Sequence, residues 1–327
     1  MRSRLTRLGF GAAPIGNLYA EVDDREALSA VQAAWDRGIR YFDTAPYYGY
    51  GLSEERLGRA LKGLARSSFV LSTKVGRRIY RDRAGARHHL TEGFAVSNGR
   101  AEFDYSREGI RLSVEESLQR LRTDYIDILL LHDVGAMTHG DRHAELIRQV
   151  LDESLPVMAE LKGRGVCRAI GIGVNEEAVC LELLPQFPLD YIMLAGRYTL
   201  IEQAGGVALL TEARLRSVGI LVAGPYNSGL LSGALQPGKT YNYAPVEVTM
   251  YRRAEQLYAI CGQLGVDVGA AALQFPLAHP AVASVVAGMR SAAEVESAVA
   301  RLKAKIPTPL WQRLREAGFV LPEAPTP

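Results

Sequence analysis

Short strand-like runs alternate along the chain with longer stretches of mixed apolar and polar residues, and one of them, Tyr125–His132, is almost unbroken in its apolar character. The runs are Leu5–Gly11, Arg40–Thr44, Phe69–Lys74, Tyr125–His132, Arg168–Val174, Tyr191–Ala195, Gly219–Ala223 and Ala283–Ala287. Strands that read as continuous apolar runs are those buried on both faces, as in parallel sheets. The intervening stretches read as helices over Arg25–Arg37, Glu54–Leu61, Glu108–Leu121, Pro156–Arg164, Glu176–Leu184, Ala208–Ser217, Tyr251–Leu264, Val268–Ala278 and Ala292–Leu302. Asp23 or Asp24 is placed to cap the first helix and Ser53 the second, with Glu54 and Glu55 at the positive end. Helices mostly stop at glycine: Gly38, Gly163 or Gly165, and Gly219.

Eight strands alternating with helices predict parallel βαβ units and the α/β class. With no break in composition along the chain, they favour a closed (β/α)8 TIM-type barrel over a doubly wound sheet. The 327 residues would fit two domains at about 100–200 residues each. No Gly/Ser or Pro linker divides them, so 1–327 reads as a single barrel domain. Two segments exceed ordinary βα loops, 76–105 and 225–246. In a parallel barrel both follow strands, so both are expected over the catalytic face.

Composition narrows the function classes. Hydrophobic residues are 48% and charged residues 23%, which excludes disordered and fibrous classes. Lys+Arg is 38 against Asp+Glu 36, a net charge of +2. That balance carries no footprint for nucleic acid. No uncharged apolar run approaches the roughly 20 residues of a membrane span. The first apolar run is broken by Gly9, Gly11, Pro14, Gly16 and Asn17, so it lacks a signal-peptide core. Three cysteines, Cys167, Cys180 and Cys261, suit free thiols in a reducing compartment. A cytoplasmic protein with a small-molecule substrate is expected, and a homo-oligomer is compatible with the sequence.

The chemistry sits at strand ends. The second run ends near Asp43, with Tyr48 five residues on; the third ends in Lys74 and the fourth in His132. A barrel gathers such residues on one face. An ammonium beside a phenol favours the phenolate and lowers its pKa from about 10. A carboxylate keeps that ammonium charged, and an imidazole can hydrogen-bond the same substrate oxygen. Singly, each residue has a plain reading. Asp43 would cap a turn, Lys74 would be solvated, His132 would be a core histidine, and Tyr48 has packing neighbours in Tyr41, Tyr47 and Tyr50. Jointly they describe an acid/base centre for a carbonyl or alcohol. A Schiff-base Lys74 is the competing enzymatic reading.

Two glycine motifs, Gly9-Phe-Gly11 and Gly171-Ile-Gly173, lack the third glycine of a dinucleotide fingerprint. The pairs His88-His89 and His139/His143 lack the carboxylate or cysteine company of a zinc site, so no metal is expected. His88 or His89 remains a candidate contact for a substrate hydroxyl.

The segment Gly38-Ile-Arg-Tyr-Phe-Asp43-Thr-Ala-Pro-Tyr-Tyr48-Gly49 resembles the aldo-keto reductase signature. Leu71-Ser-Thr-Lys74, Asp124-Tyr-Ile-Asp-Ile-Leu-Leu-Leu-His132, Gly163–Gly171 and Gly224–Gly233 resemble its later motifs, in order along nearly the whole chain. The resemblance implies a barrel oxidoreductase using a nicotinamide cofactor. It implies that Asp43, Tyr48, Lys74 and His132 form a catalytic tetrad with Tyr48 as acid/base. Phe103-Asp-Tyr-Ser106, Glu115–Leu121 and Gly171–Glu176 are similar to a narrower group, the D-threo-aldose 1-dehydrogenases, with L-fucose and pyridoxal 4-dehydrogenase types. That likeness implies oxidation of a sugar lactol, or of pyridoxal hemiacetal, to a lactone. A general aldehyde or ketone reductase is an alternative, and a non-catalytic redox-sensing barrel is one from another class.

The resemblance also assigns the cofactor residues. Asn175 takes the nicotinamide amide, although the family's usual Ser-Asn positions read Gly173-Val174. The usual glutamine aligns with Ala195 and the stacking tyrosine with Ala223, leaving Tyr226 or Tyr198 as substitutes. Pro225, Tyr226, Asn227, Ser228, Gly229 and Leu230 are expected to bind the cofactor, with the pyrophosphate resting on the amides of Asn227-Ser-Gly-Leu-Leu231, a glycine-containing loop. Gly288 and Glu294 stand where NADP-dependent members carry cations. A carboxylate there suits a free ribose hydroxyl and implies NAD rather than NADP, with Arg290 as the nearest cation.

Overall fold

The computed structural model describes residues 4–80, 93–96, 99–236, 239–241 and 244–327. His88, His89 and Asn98 lie outside them. The strands are β1 Leu8–Gly11, β2 Tyr41–Asp43, β3 Val70–Val75, β4 Arg77–Tyr80, β5 Arg100–Phe103, β6 Ile126–His132, β7 Cys167–Val174, β8 Tyr191–Ala195, β9 Gly219–Ala223, β10 Thr240–Tyr241, β11 Ala244–Pro245 and β12 Val282–Gly288. Eight of them close a parallel barrel in the order β1-β12-β9-β8-β7-β6-β3-β2. The seam pairs Leu8 with Val285 and Gly11 with Gly288.

Strand alternation sorts the side chains. Ile128 and Leu130 join Tyr41, Val70, Ala169, Tyr191, Met193, Leu221 and Val286 in one apolar cluster. Leu129 and Leu131 belong to the larger cluster that the helices cover. Both faces of β6 are therefore dry, which is why its sequence shows no polar alternation.

The two overlong segments are not plain loops. The first is built on an antiparallel ribbon, with β4 paired to β5 in a register that places Arg77 opposite Phe103. The second contains the short β10–β11 pair. Gly76 makes the turn from β3 into the ribbon at φ +96°, and a Cβ there would lie 2.6 Å from the Tyr105 ring. Only glycine accepts both that backbone and that approach.

Several helix details differ from expectation. Asp23 does cap the first helix, accepting from the Glu26 amide. Ser53, however, caps nothing: the N-cap of helix Leu52–Ala60 is Gly51. The Ser53 hydroxyl is buried instead, donating to Ala12 O at 2.7 Å and pairing with the Thr44 hydroxyl at 2.8 Å. Glu54 is fully buried rather than facing solvent. It accepts from Arg120 Nε at 2.6 Å and from the Thr73 hydroxyl at 2.6 Å, tying helix Leu52–Ala60 to helix Arg107–Leu121 and β3. Helix Gly206–Leu215 ends on left-handed Ser217 (φ 60°) and not on Gly219; Gly165, at φ +78°, serves where Gly163 was the alternative.

Among the described residues no single helix is long and apolar enough to cross a membrane. All three cysteines are free and buried.

Candidate active site

The carboxyl ends of β2, β3 and β6 lie side by side, because β2 pairs with β3 and β3 with β6. Three of the four candidate residues come from those ends. Lys74 Nζ donates to Asp43 Oδ2 at 2.8 Å and to Thr44 O at 2.9 Å. Asp43 Oδ1 accepts from the Ser72 hydroxyl at 2.6 Å, which is itself 3.0 Å from the Tyr41 hydroxyl. Asp43 and Lys74 are both buried. Burial works against the ammonium, but Asp43 and Tyr48 outweigh it and hold the Lys74 pKa above the usual lysine value.

Tyr48 is supplied by the turn after β2. Its backbone packs on the loop after β1 so closely that a Cβ on Gly16 would lie 2.8 Å from Tyr48 C, and one on Gly49 would lie 2.3 Å from Gly16 O. The ring sits with its centroid 4.7 Å from Lys74 Nζ. The His132 ring meets it edge-on, 86° between planes and 6.2 Å between centroids. All four residues thus converge.

The electrostatics depart from the expected picture in one respect. Burial is the largest influence on Tyr48 and raises its pKa; Lys74 pulls it down and Asp43 pushes it up. The net value is above that of a free tyrosine, because desolvation of the phenolate outweighs the ammonium. For His132 burial again dominates and depresses the pKa to about 3, with Arg77 and Lys74 adding to the effect against Asp133. His132 is therefore neutral near pH 7, with one N–H to donate and one nitrogen to accept.

A second cluster escaped sequence reading. Asp133, the residue after β6, takes a left-handed φ of 50°. Its carboxylate forms an ion pair with Arg77 of the ribbon, and its Oδ2 lies 3.5 Å from His132 Nε2. The Arg77 guanidinium is held between the rings of Tyr47, at 4.1 Å, and Phe103, at 4.4 Å. The Tyr105 hydroxyl donates to His132 O at 2.7 Å and lies 3.1 Å from His139 Nε2. Phe94 packs on the rings of both Tyr47 and Tyr48. The usable signal was local: Asp133 is a charge directly after the histidine that closes the strand run.

On the other side of the mouth lie the candidate cofactor residues. Asn175 follows β7 directly and is half-buried. Its strand neighbour Gly173 faces Lys74, a Cβ there falling 3.5 Å from Lys74 Cε. Asn227, Ser228 and Gly229 are successive left-handed residues at φ 47°, 56° and 89°. The Ser228 and Gly229 amides have no backbone acceptor among the described residues. Asn227 Oδ1 is buried without a partner among the described residues. A turn with free amides beside an unpaired polar atom fits an anionic, hydrogen-bonding group such as a dinucleotide pyrophosphate. Pro225 starts this turn, and Leu230 is buried beneath it.

At the seam, Gly288 ends β12 and a Cβ on it would meet Pro14 at 3.0 Å. Glu294 Oε2 accepts from the Arg290 amide at 2.8 Å, and Oε1 lies 3.2 Å from Arg290 Nε. Arg290 is thus already paired. Neither proposed stacking tyrosine is free to act as expected. Tyr198 is fully buried against Phe275 and His279. Tyr226 has its hydroxyl buried and its ring beneath Arg301.

Of the metal decoys, His139 bonds Asp133 O and Tyr105, whereas His143 pairs with Glu182 at 2.8 Å. Among the described residues no three His, Cys, Asp or Glu side chains gather as a metal site.

A closed parallel barrel with a buried ammonium–carboxylate pair, a phenol and a neutral imidazole at its carboxyl mouth is the framework of an oxidoreductase. A family model for the aldo/keto reductases matches residues 7–318, and the chain belongs to that family. It is similar to a pyridoxal 4-dehydrogenase of Microbacterium luteolum, 38% identical over 97% of this chain and 95% of that protein. It is likewise similar to a D-threo-aldose 1-dehydrogenase of a Pseudomonas species, 39% identical over 98% and 95%. Among solved structures it matches the holo form of an aldo-keto reductase from Bacillus halodurans, with TM-score 0.74, 30% identity and coverage of 95% and 92%. The chain is therefore an oxidoreductase, of a family that uses nicotinamide cofactors.

Proposed function

We propose that this enzyme is an NAD-linked aldose 1-dehydrogenase: it oxidises the anomeric hydroxyl of a sugar lactol to give a lactone. The carrying observation is the convergence of Tyr48, Lys74–Asp43 and neutral His132 around one point. Bound nicotinamide supplies the hydride acceptor. Tyr48 takes the hydroxyl proton; Lys74 favours its phenolate, and Asp43 keeps Lys74 ionised and aimed. His132 hydrogen-bonds the substrate oxygen without carrying charge, so it fixes that oxygen without repelling the developing cation.

Asn175 holds the carboxamide end of the cofactor. The turn Pro225–Leu230, with Tyr226, Asn227, Ser228 and Gly229, holds the pyrophosphate. Gly288, Arg290 and Glu294 border the adenosine ribose. Glu294 occupies Arg290 and presents a carboxylate, which favours a ribose hydroxyl over a phosphate dianion and hence NAD over NADP.

The pyridoxal relative supports a second substrate of the same chemical kind, since pyridoxal hemiacetal also carries a hydroxyl on a ring carbon attached to oxygen. A panel of aldoses and pyridoxal, assayed with NAD and NADP by nicotinamide absorbance, decides between them. In Tyr48→Phe, turnover should fall by about 10²–10⁴-fold while cofactor binding persists. Near-normal turnover in that variant removes Tyr48 from the mechanism.

A further inference from the structure

The Asp133–Arg77 pair is expensive to build, and neither the fold nor the acid/base centre requires it. Asp133 occupies a left-handed backbone position that most side chains avoid. Arg77 is carried in on the ribbon, with only 16% of its side chain exposed, and its Nε is buried without an acceptor among the described residues. Arg77 engages Asp133 through Oδ2 alone. Oδ1 accepts no hydrogen bond from any described residue, so the carboxylate keeps an acceptor to offer. Strained, half-satisfied charges beside a reacting centre mark a ligand-reading role more often than a structural one.

Position supplies the rest. Asp133 Oδ2 is 3.5 Å from His132 Nε2. Oxygens on adjacent carbons of a sugar are separated by about one hydrogen-bond length, roughly 3 Å. A substrate whose reacting oxygen meets His132 therefore brings the neighbouring hydroxyl toward Asp133. The rings of Tyr47, Phe103 and Phe94 line this side of the mouth. A carboxylate, a guanidinium and aromatic faces together suit a polyol, whose hydroxyls donate to the carboxylate while its C–H faces pack on rings. A planar 3-hydroxypyridine offers an acidic ring hydroxyl instead, and as a phenolate it would be repelled by Asp133.

We infer that Asp133, braced by Arg77, is a specificity-determining residue that reads the hydroxyl on the carbon next to the reacting one. This inference rests on the aldose reading of the same site. It makes the enzyme selective for substrates with a free hydroxyl next to the reacting carbon, over 2-deoxy sugars and over pyridoxal.

The test compares an accepted aldose with its 2-deoxy counterpart in wild-type protein and in Asp133→Asn. Asparagine tolerates the left-handed backbone well. In the wild type, kcat/KM should fall about 10- to 100-fold on losing the 2-hydroxyl. In D133N the parent sugar should lose a similar factor, mostly in KM, and the 2-deoxy sugar almost nothing. Equal losses on both sugars overturn the assignment, as does a loss confined to kcat with a shifted pH profile, which would make Asp133 a positioning residue for His132. If D133N does not fold, Asp133→Gly serves, since it removes the carboxylate and suits the left-handed backbone. Discrimination against the 2-deoxy sugar retained there overturns the inference, and its loss supports it. A wild type that oxidises no aldose refutes the proposed function itself, and this inference with it.

Discussion

Replacing Lys74 by methionine tests the electrostatic core of the mechanism. The side chain stays unbranched, one atom shorter, and loses its charge. Lys74 Nζ lies 4.7 Å from the centre of the Tyr48 ring. At about 5 Å and an effective dielectric near 20, two unit charges interact by roughly 3 kcal/mol. That is about two pKa units. Without the ammonium, the Tyr48 phenolate forms only at a pH about two units higher. The acidic limb of the oxidation profile should move up by that amount, and kcat/KM at neutral pH should fall about 100-fold. The variant also strands Asp43 in the barrel with only the Ser72 hydroxyl for company. Breaking a buried pair in this way costs about 3–5 kcal/mol of stability, so assays belong well below the melting midpoint. Adding Asp43→Asn removes the orphaned charge. Calorimetry of the double variant should show the midpoint partly recovered, with activity still lost. A folded K74M enzyme whose pH limb has not moved would refute the view that Lys74 tunes Tyr48.

Two further outcomes follow from the same site. His132 has a folded pKa of about 3 against about 6.5 unfolded. Between those values the unfolded chain binds a proton that the folded one refuses, so stability falls as pH drops through this window, by at most about 1.4 kcal/mol per unit. Denaturant titrations of His132→Asn across pH 6.5 to 4 should give a shallower slope than wild type; an identical slope would mean the imidazole is not held neutral. Glu294→Gln releases Arg290 from its ion pair and removes the carboxylate at the adenosine ribose. The ratio of NADP to NAD affinity by fluorescence titration should rise about tenfold or more, and an unchanged ratio would remove Glu294 from cofactor selection.

The tetrad was legible because a parallel barrel writes its chemistry at strand ends. Asp43, Lys74 and His132 stand at or near the ends of three strand runs, and the barrel gathers such ends on one face. The Arg77–Asp133 pair was not legible, because it joins residues 56 positions apart across a ribbon that reads as a polar loop. Glu54 stands in the first turn of its helix as expected, but its burial under Arg120, far along the chain, was not legible. The Tyr48 shift was misjudged because sequence shows the ammonium but not the dry mouth. The bounds of the first strand were also too generous: Thr6 lies outside β1, where its hydroxyl donates to Leu8 O and accepts from the Arg40 amide.

The β1–β12 seam has a consequence for how the enzyme is made. Asp43, Tyr48, Lys74 and His132 all belong to the first 132 residues, and their strands are near neighbours in the chain. The turn after β9 and the Gly288–Glu294 edge come last, and Gly11 meets Gly288 only when the ring shuts. Asp43, Lys74 and His132 thus sit on strands that pair without the seam, whereas the proposed adenosine edge at Gly288–Glu294 is completed only when the seam closes. Cofactor, binding only the closed form, would draw the folding equilibrium toward closure by mass action. A bound nicotinamide cofactor would thus stabilise the closure of the last strand onto the first.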